Sequence, residues 1–444
     1  MTTRTPRPGM PPAAWTNWAG NQTCHPAEVA APRSTEELAA VVRDAAQRGL
    51  GVKPVGTGHS FTAIATTDGV QLRLDNLRGV LHADAVTSRV RVLGGTPLHV
   101  LNPALQALGL ALPNLGDIDR QTITGAISTG THGTGLRFQG IASAVRGLTL
   151  VLADGSVLTC SPDVEPEVFQ AARVGLGALG VVTEVELQCV PAFRLHAREF
   201  GADLHDVLDR LDDDLAAHDH VDMHWFPLTD RVLVKHNDRV GAEAQGDPLP
   251  GWRAWLDDDF LSNRLYEVTN RAATRFPRIV PPLNTVSARL LGAREYTDDS
   301  WRVFVAERAV RFRESEYAVP RAHARDVVLA VRDWVERHRP PLTFPLELRF
   351  TGADDVWLST GYERENAYIA MHQYHRMDDA GAFAAFEEIV GEHEGRPHWG
   401  KLHTLDAERL QRLYPRFDEF RAVRDRLDPG RVFANDYLRR VLGD

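Results

Sequence analysis

The residues best suited to chemistry lie in a few short runs. In Val55-Gly-Thr-Gly-His-Ser-Phe61, Gly56 and Gly58 let backbone N–H groups approach an anion closely, and Thr57 and Ser60 add hydroxyl donors. Thr124-Gly-Ala-Ile-Ser-Thr-Gly-Thr-His-Gly-Thr-Gly135 has too few apolar side chains for a core element, and it reads as a loop wrapped round a phosphate or pyrophosphate. Val174-Gly-Leu-Gly-Ala-Leu-Gly-Val-Val182 sets small residues where a flat ring can lie against backbone; a tightly packed turn is the other reading. Neither the Walker A pattern nor the dinucleotide GxGxxG pattern is met, so a nicotinamide site of the usual type is not expected. Glycine runs this dense point to one large, doubly phosphorylated cofactor.

A second group lies towards the other end of the chain. Glu347-Leu-Arg349 sits in a strand-like run, so period-two alternation turns Glu347 and Arg349 to one face and Leu348 to the other. Spacing alone allows a solvated surface pair; if that face is covered as well, its charges must be paired or functional. His372-Gln-Tyr-His375, with His393, His398 and His403, raises the question of a metal. A spacing of three on a strand turns the first two histidines to opposite faces, and no metal is assigned.

The elements that must position these residues divide the chain in two, an α+β organisation. Short Val/Leu/Ile-rich runs at Gly51–Val55, Gln71–Leu74, Arg89–Leu93, Gly147–Leu152 and Val181–Val190 read as strands, with Asp154–Gly155 as a hairpin turn. Ser34–Arg48 reads as a helix with a serine cap and acids in its first turn. Leu98–Leu108 and Pro166–Arg173 are weaker helices. Residues 194–405 read as a sheet with helices on one side: helices at Leu204–Ala217, Asn263–Arg278, Arg321–Arg337 and Ala380–Gly391, strands at Leu342–Phe350 and Ala367–Tyr374, and a loop at Asp238–Pro250. Leu405–Leu427 reads as helical. The expected division is 1–193, 194–405 and a segment 406–444 that packs back on the first part.

Composition narrows the function classes. The 444 residues carry 50 basic against 60 acidic side chains, a net charge of -10 that argues against nucleic acid as partner. Three widely spaced cysteines make no disulfide framework and fit a reducing compartment, read as cytoplasmic. Met1–Ala14 has no apolar stretch of a secretory signal, and no run is apolar enough to span a membrane.

The Gly-Thr-Gly-His-Ser run, Pro113-Asn114-Leu115-Gly116, the Thr-Gly-Thr-His-Gly-Thr-Gly run and Leu-Gly-Ala-Leu-Gly-Val-Val occur in an order that resembles the FAD-binding (PCMH-type) domain of the vanillyl-alcohol oxidase family. Arg396-Pro-His-Trp-Gly-Lys401 resembles its sugar-lactone and alditol oxidase branch. The resemblance implies FAD bound covalently through His59. It implies a pyrophosphate loop from Gly56, Thr57, Gly58 and Ser60 together with Ser128, Thr129, Gly130, Thr131 and Gly133. Val181 or Val182 would offer backbone to the cofactor, and His132 would either face it or hold its loop. Glu347, Arg349 and Lys401 would form the catalytic group beside the flavin, with Glu347, or alternatively His372, as base. His372 and Tyr374 would line the substrate pocket.

Asp117 stands where the alditol enzymes have a serine, so the Gly116-Asp-Ile-Asp119 bend looks more like the gulonolactone and arabinonolactone enzymes. Gly116 leaves room for O2 to reach the flavin. The expected reaction is hydride transfer to flavin N5 from a carbinol of a sugar-1,4-lactone or polyol, with O2 or another acceptor restoring the oxidised flavin. An alditol or nucleoside substrate is the alternative within that chemistry, and a non-catalytic flavin-binding protein is the alternative of another class.

Overall fold

A computed structural model describes residues 13–251, 265–289, 291–306 and 308–444. The amino-terminal part is built on two small sheets. Glu28–Ala30, Val70–Arg73 and Val52–Val55 form a parallel sheet, with Val70–Arg73 central. An antiparallel sheet runs in the order Val157–Cys160, Val145–Val151, Val181–Gln188, Arg89–Leu93, Val80–Asp84. The helix Thr35–Gln47 starts where the Ser34 side chain accepts from the Glu37 N–H, and it buries Leu38, Val42 and Ala45 against the parallel sheet. Asp154–Gly155 joins an antiparallel pair in which Val157 faces Val151, with Gly155 at φ +78° where a Cβ would be strained.

The later part is an eight-stranded antiparallel sheet in the order Arg294–Asp299, Phe193–Asp203, Arg231–Gly241, His220–Trp225, Leu346–Thr351, Asn366–Tyr374, Phe312–Pro320, Arg396–Pro397. The helix Ala380–Gly391 packs on it, and the helix Ala324–His338 packs beside that helix. Several expectations change here. The loop expected at Asp238–Pro250 begins as strand, because Phe193–Asp203 pairs residue for residue with Arg231–Gly241. Leu204–Ala217 is two helices, Leu204–Asp209 and Leu211–Ala217, parted at Arg210. The Asn263 end of the next helix lies outside the described residues; the helix runs Tyr266–Arg275, and a further one covers Val280–Arg289. Leu405–Leu427 splits into Ala407–Leu413 and Phe417–Leu427, with Pro415 between them denying a continuous helix.

The last residues close onto the amino-terminal part. The Val52 N–H donates to Val432 O at 2.7 Å, and Phe433 is buried in the core of the parallel sheet. Asn435 caps the helix Asp436–Leu442 by accepting from the Leu438 N–H, while its amide donates to Ala63, Ile64 and Thr66 carbonyls. Asn435→Ala removes the cap and leaves those carbonyls short of a donor. Chemical denaturation is expected to show a loss of about 2 kcal/mol in unfolding free energy.

Candidate active site

The glycine bend after Val52–Val55 forms one wall of a cleft of about 1110 Å³, open to solvent. Gly56, Thr57, Gly58, His59 and Ser60 line it, faced by Thr122, Gly125, Ser128 and Thr129 and by the Gly175–Val182 turn. Gly58 has φ +74°, and a Cβ on Gly56 would meet Thr122 Oγ1 at 2.7 Å, so the approach of these two segments needs glycine. Leu176 and Gly177 also have positive φ, which folds the turn flat against the cleft. Backbone, hydroxyls and small residues along an elongated cleft fit the pyrophosphate and flat ring of a flavin dinucleotide.

One expectation about this wall changes. Residues Ile123–Ser128 are a short helix, capped by the Thr122 hydroxyl accepting from the Gly125 N–H. Ile123 and Ile127, one turn apart, bury its inner face. This wall of the cleft is thus a helix followed by a turn, with Gly130 at φ +77° reversing the chain.

Other expected residues lie off the cleft. Thr131 hydroxyl donates to Gln121, and Val181 is buried in the sheet core while Val182 faces the cleft. Gly133 has no room for a Cβ, which would fall 2.2 Å from Leu115 O. His132 stacks on Tyr368 with ring centroids 3.5 Å apart, and its Nε2 lies 3.3 Å from Glu316, so it ties its loop to the eight-stranded sheet. Tyr374 donates its hydroxyl to Glu267 at 2.8 Å and packs among Phe61, Phe312 and Phe344.

Lys53, one of the few lysines in the chain, is the residue of the cleft that sequence reasoning missed. It is fully buried and donates to Phe433 O at 3.0 Å and Gly177 O at 3.3 Å. Burial pulls its pKa down to about 7.

The eight-stranded sheet brings the charged residues together. Leu346–Thr351 is buried on both faces, and Arg349 donates to Glu347. Arg349 also lies 3.6 Å from Asp222 and 3.7 Å from Asp117, while Arg308 holds Asp117 at 2.6 Å. Burial alone would raise the Glu347 pKa, but Arg349 and the His224 hydrogen bond override it and hold Glu347 well below the usual carboxylate range. Asp117 is lowered in the same way, burial being outweighed by Arg308 and Arg349. Asp222 Oδ1 and His224 Nδ1 are buried 3.8 Å apart, at ion-pair distance but beyond a hydrogen bond.

Lys401 lies between two carboxylates of Phe312–Pro320, 2.5 Å from Glu314 and 3.8 Å from Glu316. His372 has its Nε2 3.6 Å from Glu314. The sequence carried no local sign of Glu314, Glu316, Asp222, His224 or Arg308.

Lys401 connects this cluster to the cleft. The Phe61 N–H donates to Gly400 O at 2.7 Å, and Lys401 Nζ stands 5.3 Å from the Phe61 ring centre. The His59 ring, stacked on Trp18, has its pKa pushed down to about 4 by burial and by the charges of Lys401 and Arg120.

Among the described residues, two triads have ligand atoms within 4.8 Å of one another, His132–Glu316–His398 and Asp222–His224–Glu347. Lys401 already faces the carboxylate of the first and Arg349 that of the second, so neither is read as a metal centre. Replacing Arg349 with methionine would leave Glu347 and its neighbours buried without their cation. Urea denaturation of Arg349→Met is expected to show a loss of about 3–5 kcal/mol.

A family model described as D-arabinono-1,4-lactone oxidase matches residues 185–441, and one described as an FAD binding domain matches residues 26–161. The chain is 45% identical over 429 residues to L-gulono-1,4-lactone dehydrogenase of Mycobacterium tuberculosis, covering 97% of this chain and 99% of that protein. It is 32% identical over 451 residues to alditol oxidase of a Streptomyces species, covering 97% and 99%. Among solved structures, cholesterol oxidase of Brevibacterium sterolicum has the same fold, with TM-score 0.81 over 99% of this chain and 100% of that one at 17% identity.

Proposed function

The chain belongs to the D-arabinono-1,4-lactone oxidase family of FAD-dependent oxidoreductases, and from that premise we propose that it oxidises a carbinol of a sugar-1,4-lactone. FAD held in the cleft would supply the hydride acceptor for the carbinol carbon, and in reduced form the electron pair for O2 or another acceptor. The observation that carries this reading is the meeting of the cleft and the charged sheet face at Phe61, Gly400 and Lys401.

The chain's own groups divide the work. Gly56, Thr57, Gly58, Ser60, Ser128 and Thr129 hold the cofactor's phosphates with backbone and hydroxyl donors. His59, kept neutral by its surroundings, has the lone pair needed to bond covalently to the flavin. Arg349 and Glu347 are fixed to each other, so they present a preset donor and acceptor to substrate hydroxyls. Lys401 sets a positive charge beside the His59 loop, where negative charge develops as the hydride moves.

Asp117 favours a lactone over a linear polyol. Its carboxylate, pinned by Arg308 and Arg349, stands where the resemblance to alditol oxidases would place a serine facing the substrate. An alditol or nucleoside remains the second reading, on the 32% identity to alditol oxidase for the former. Gly116, whose Cβ would press on His132 O at 3.0 Å, keeps its position small enough for O2 to pass. The free cysteines Cys24, Cys160 and Cys189 fit residence in the cytoplasm; among the described residues no helix is long and apolar enough to cross a membrane.

A panel of sugar lactones, alditols and nucleosides, assayed for peroxide with and without an artificial electron acceptor, tests the reading. Turnover of a 1,4-lactone supports it, and turnover of none of the panel overturns it. The purified protein should be yellow and its acid-precipitated pellet should stay yellow; His59→Ala should give a colourless pellet. Lys401→Met should lower kcat by about 10²–10³-fold while FAD remains bound, read by steady-state kinetics and visible absorbance.

A further inference from the structure

Oxidising a carbinol frees a proton as well as a hydride, and most carboxylates of the site are poorly placed to take it. Glu347 is held by Arg349 and His224, Asp117 by Arg308, and Glu316 by His132 and Lys401. Asp222 keeps one oxygen without a hydrogen-bond partner, but its other oxygen faces Arg349 at 3.6 Å and the first lies 3.8 Å from His224. Glu314 differs from all of these. One oxygen meets Lys401 at 2.5 Å, while the other faces His372 Nε2 at 3.6 Å. His372 Nδ1 lies 3.3 Å from Pro345 O, which can only accept, so the ring hydrogen sits on Nδ1 and Nε2 is a lone pair. A carboxylate oxygen and an imidazole lone pair therefore face each other with no hydrogen fixed between them.

We propose that Glu314 is the proton acceptor of the reaction, reached through His372 Nε2, and that Glu347 stays ionised throughout; this rests on the carbinol-oxidation reading above. The substrate O–H bond breaks and its proton passes to Nε2 and then to Glu314. The C–H bond breaks with its electron pair leaving as hydride to bound FAD, and the C=O double bond forms from the O–H electrons. Glu314 releases the proton to solvent before the next turnover. Because Glu314 works through His372, it is a positioning and proton-storing residue.

The groups facing it are His372 from Asn366–Tyr374, Lys401 from the loop after Arg396–Pro397, Glu316 on its own strand and Glu347 from Leu346–Thr351. Burial pushes the Glu314 carboxyl up to about 7 against the pull of Lys401, with Glu316 and Glu347 adding to the rise. Glu314 is thus ionised and able to accept above about pH 7, and protonated and unable below it, so kcat/KM should rise with pH through that value.

Rapid-scan infrared spectra recorded while a 1,4-lactone bleaches the flavin anaerobically, at a pH well above 7, test the inference directly. The FAD-loaded wild type should gain the C=O band of a protonated carboxyl, shifted in D2O. Glu314→Gln should lack that band, lose the inflection near neutral pH and fall about 10²-fold or more in kcat/KM. Glu314→Asp, which keeps a titrating group, should recover part of the rate and an inflection. Bleaching of wild type without a new carboxyl band overturns the inference even if Glu314→Gln fails to fold, and so does a Glu314→Gln enzyme that keeps band or inflection. Failure of every lactone and polyol to bleach the flavin overturns the functional reading itself, and this inference with it.

Discussion

Burial of opposite charges between the two parts of the chain is the constraint on which the site depends. Asp117, on a loop of the amino-terminal part, is reached by Arg308 and Arg349 of the later part. His132, from the glycine-rich run, reaches Glu316 on the eight-stranded sheet. Groups taken out of water in this way are costly unless each finds its partner, so the pairings fix how the loops sit on the sheet. The cleft and the charged face consequently adjoin, with Lys401 and the Trp399–Gly400 backbone against Phe61 and Thr62 at the seam.

The carboxylates of that site are unequal, and their inequality follows from their partners. Glu347 shares one strand with Arg349 and is held ionised. Glu316 has His132 and Lys401 beside it, and these outweigh the effect of burial. Glu314, two residues earlier, shares Lys401 but has two like charges, Glu316 and Glu347, near it, and its other oxygen lies 3.6 Å from His372 Nε2. One sheet face thus holds carboxylates that its surroundings push in opposite directions, Glu347 down and Glu314 up. The fold alone would not have revealed this, since a cholesterol oxidase shares it at 17% identity.

Where local chemistry decides the structure, the sequence was readable. The Ser34 cap, the Asp154–Gly155 hairpin and the alternation that turns Glu347 and Arg349 to one face depend on neighbours a few residues apart. The glycine bend at Gly56–Ser60 was legible for the same reason. Phe312–Pro320 was not: its Phe-Arg-Glu-Ser-Glu-Tyr pattern looks like a half-exposed strand, although Glu314, Ser315 and Glu316 are all buried. The glutamates are covered by Lys401, His372 and His132, which come from distant parts of the sequence. Partners brought together by sheet register leave no mark in a local window, and Arg308 with Asp117 and Lys53 with Phe433 escaped notice in the same way.

A crystal structure of the FAD-loaded protein with a 1,4-lactone in place tests the central claim most directly. The flavin is expected in the cleft between Gly56–Ser60 and Ser128–Thr129, its ring reaching from His59 to Lys401 and the lactone hydroxyls in contact with Glu347 and Arg349. A flavin ring lodged away from Lys401, or a lactone bound with no contact to that pair, would contradict it.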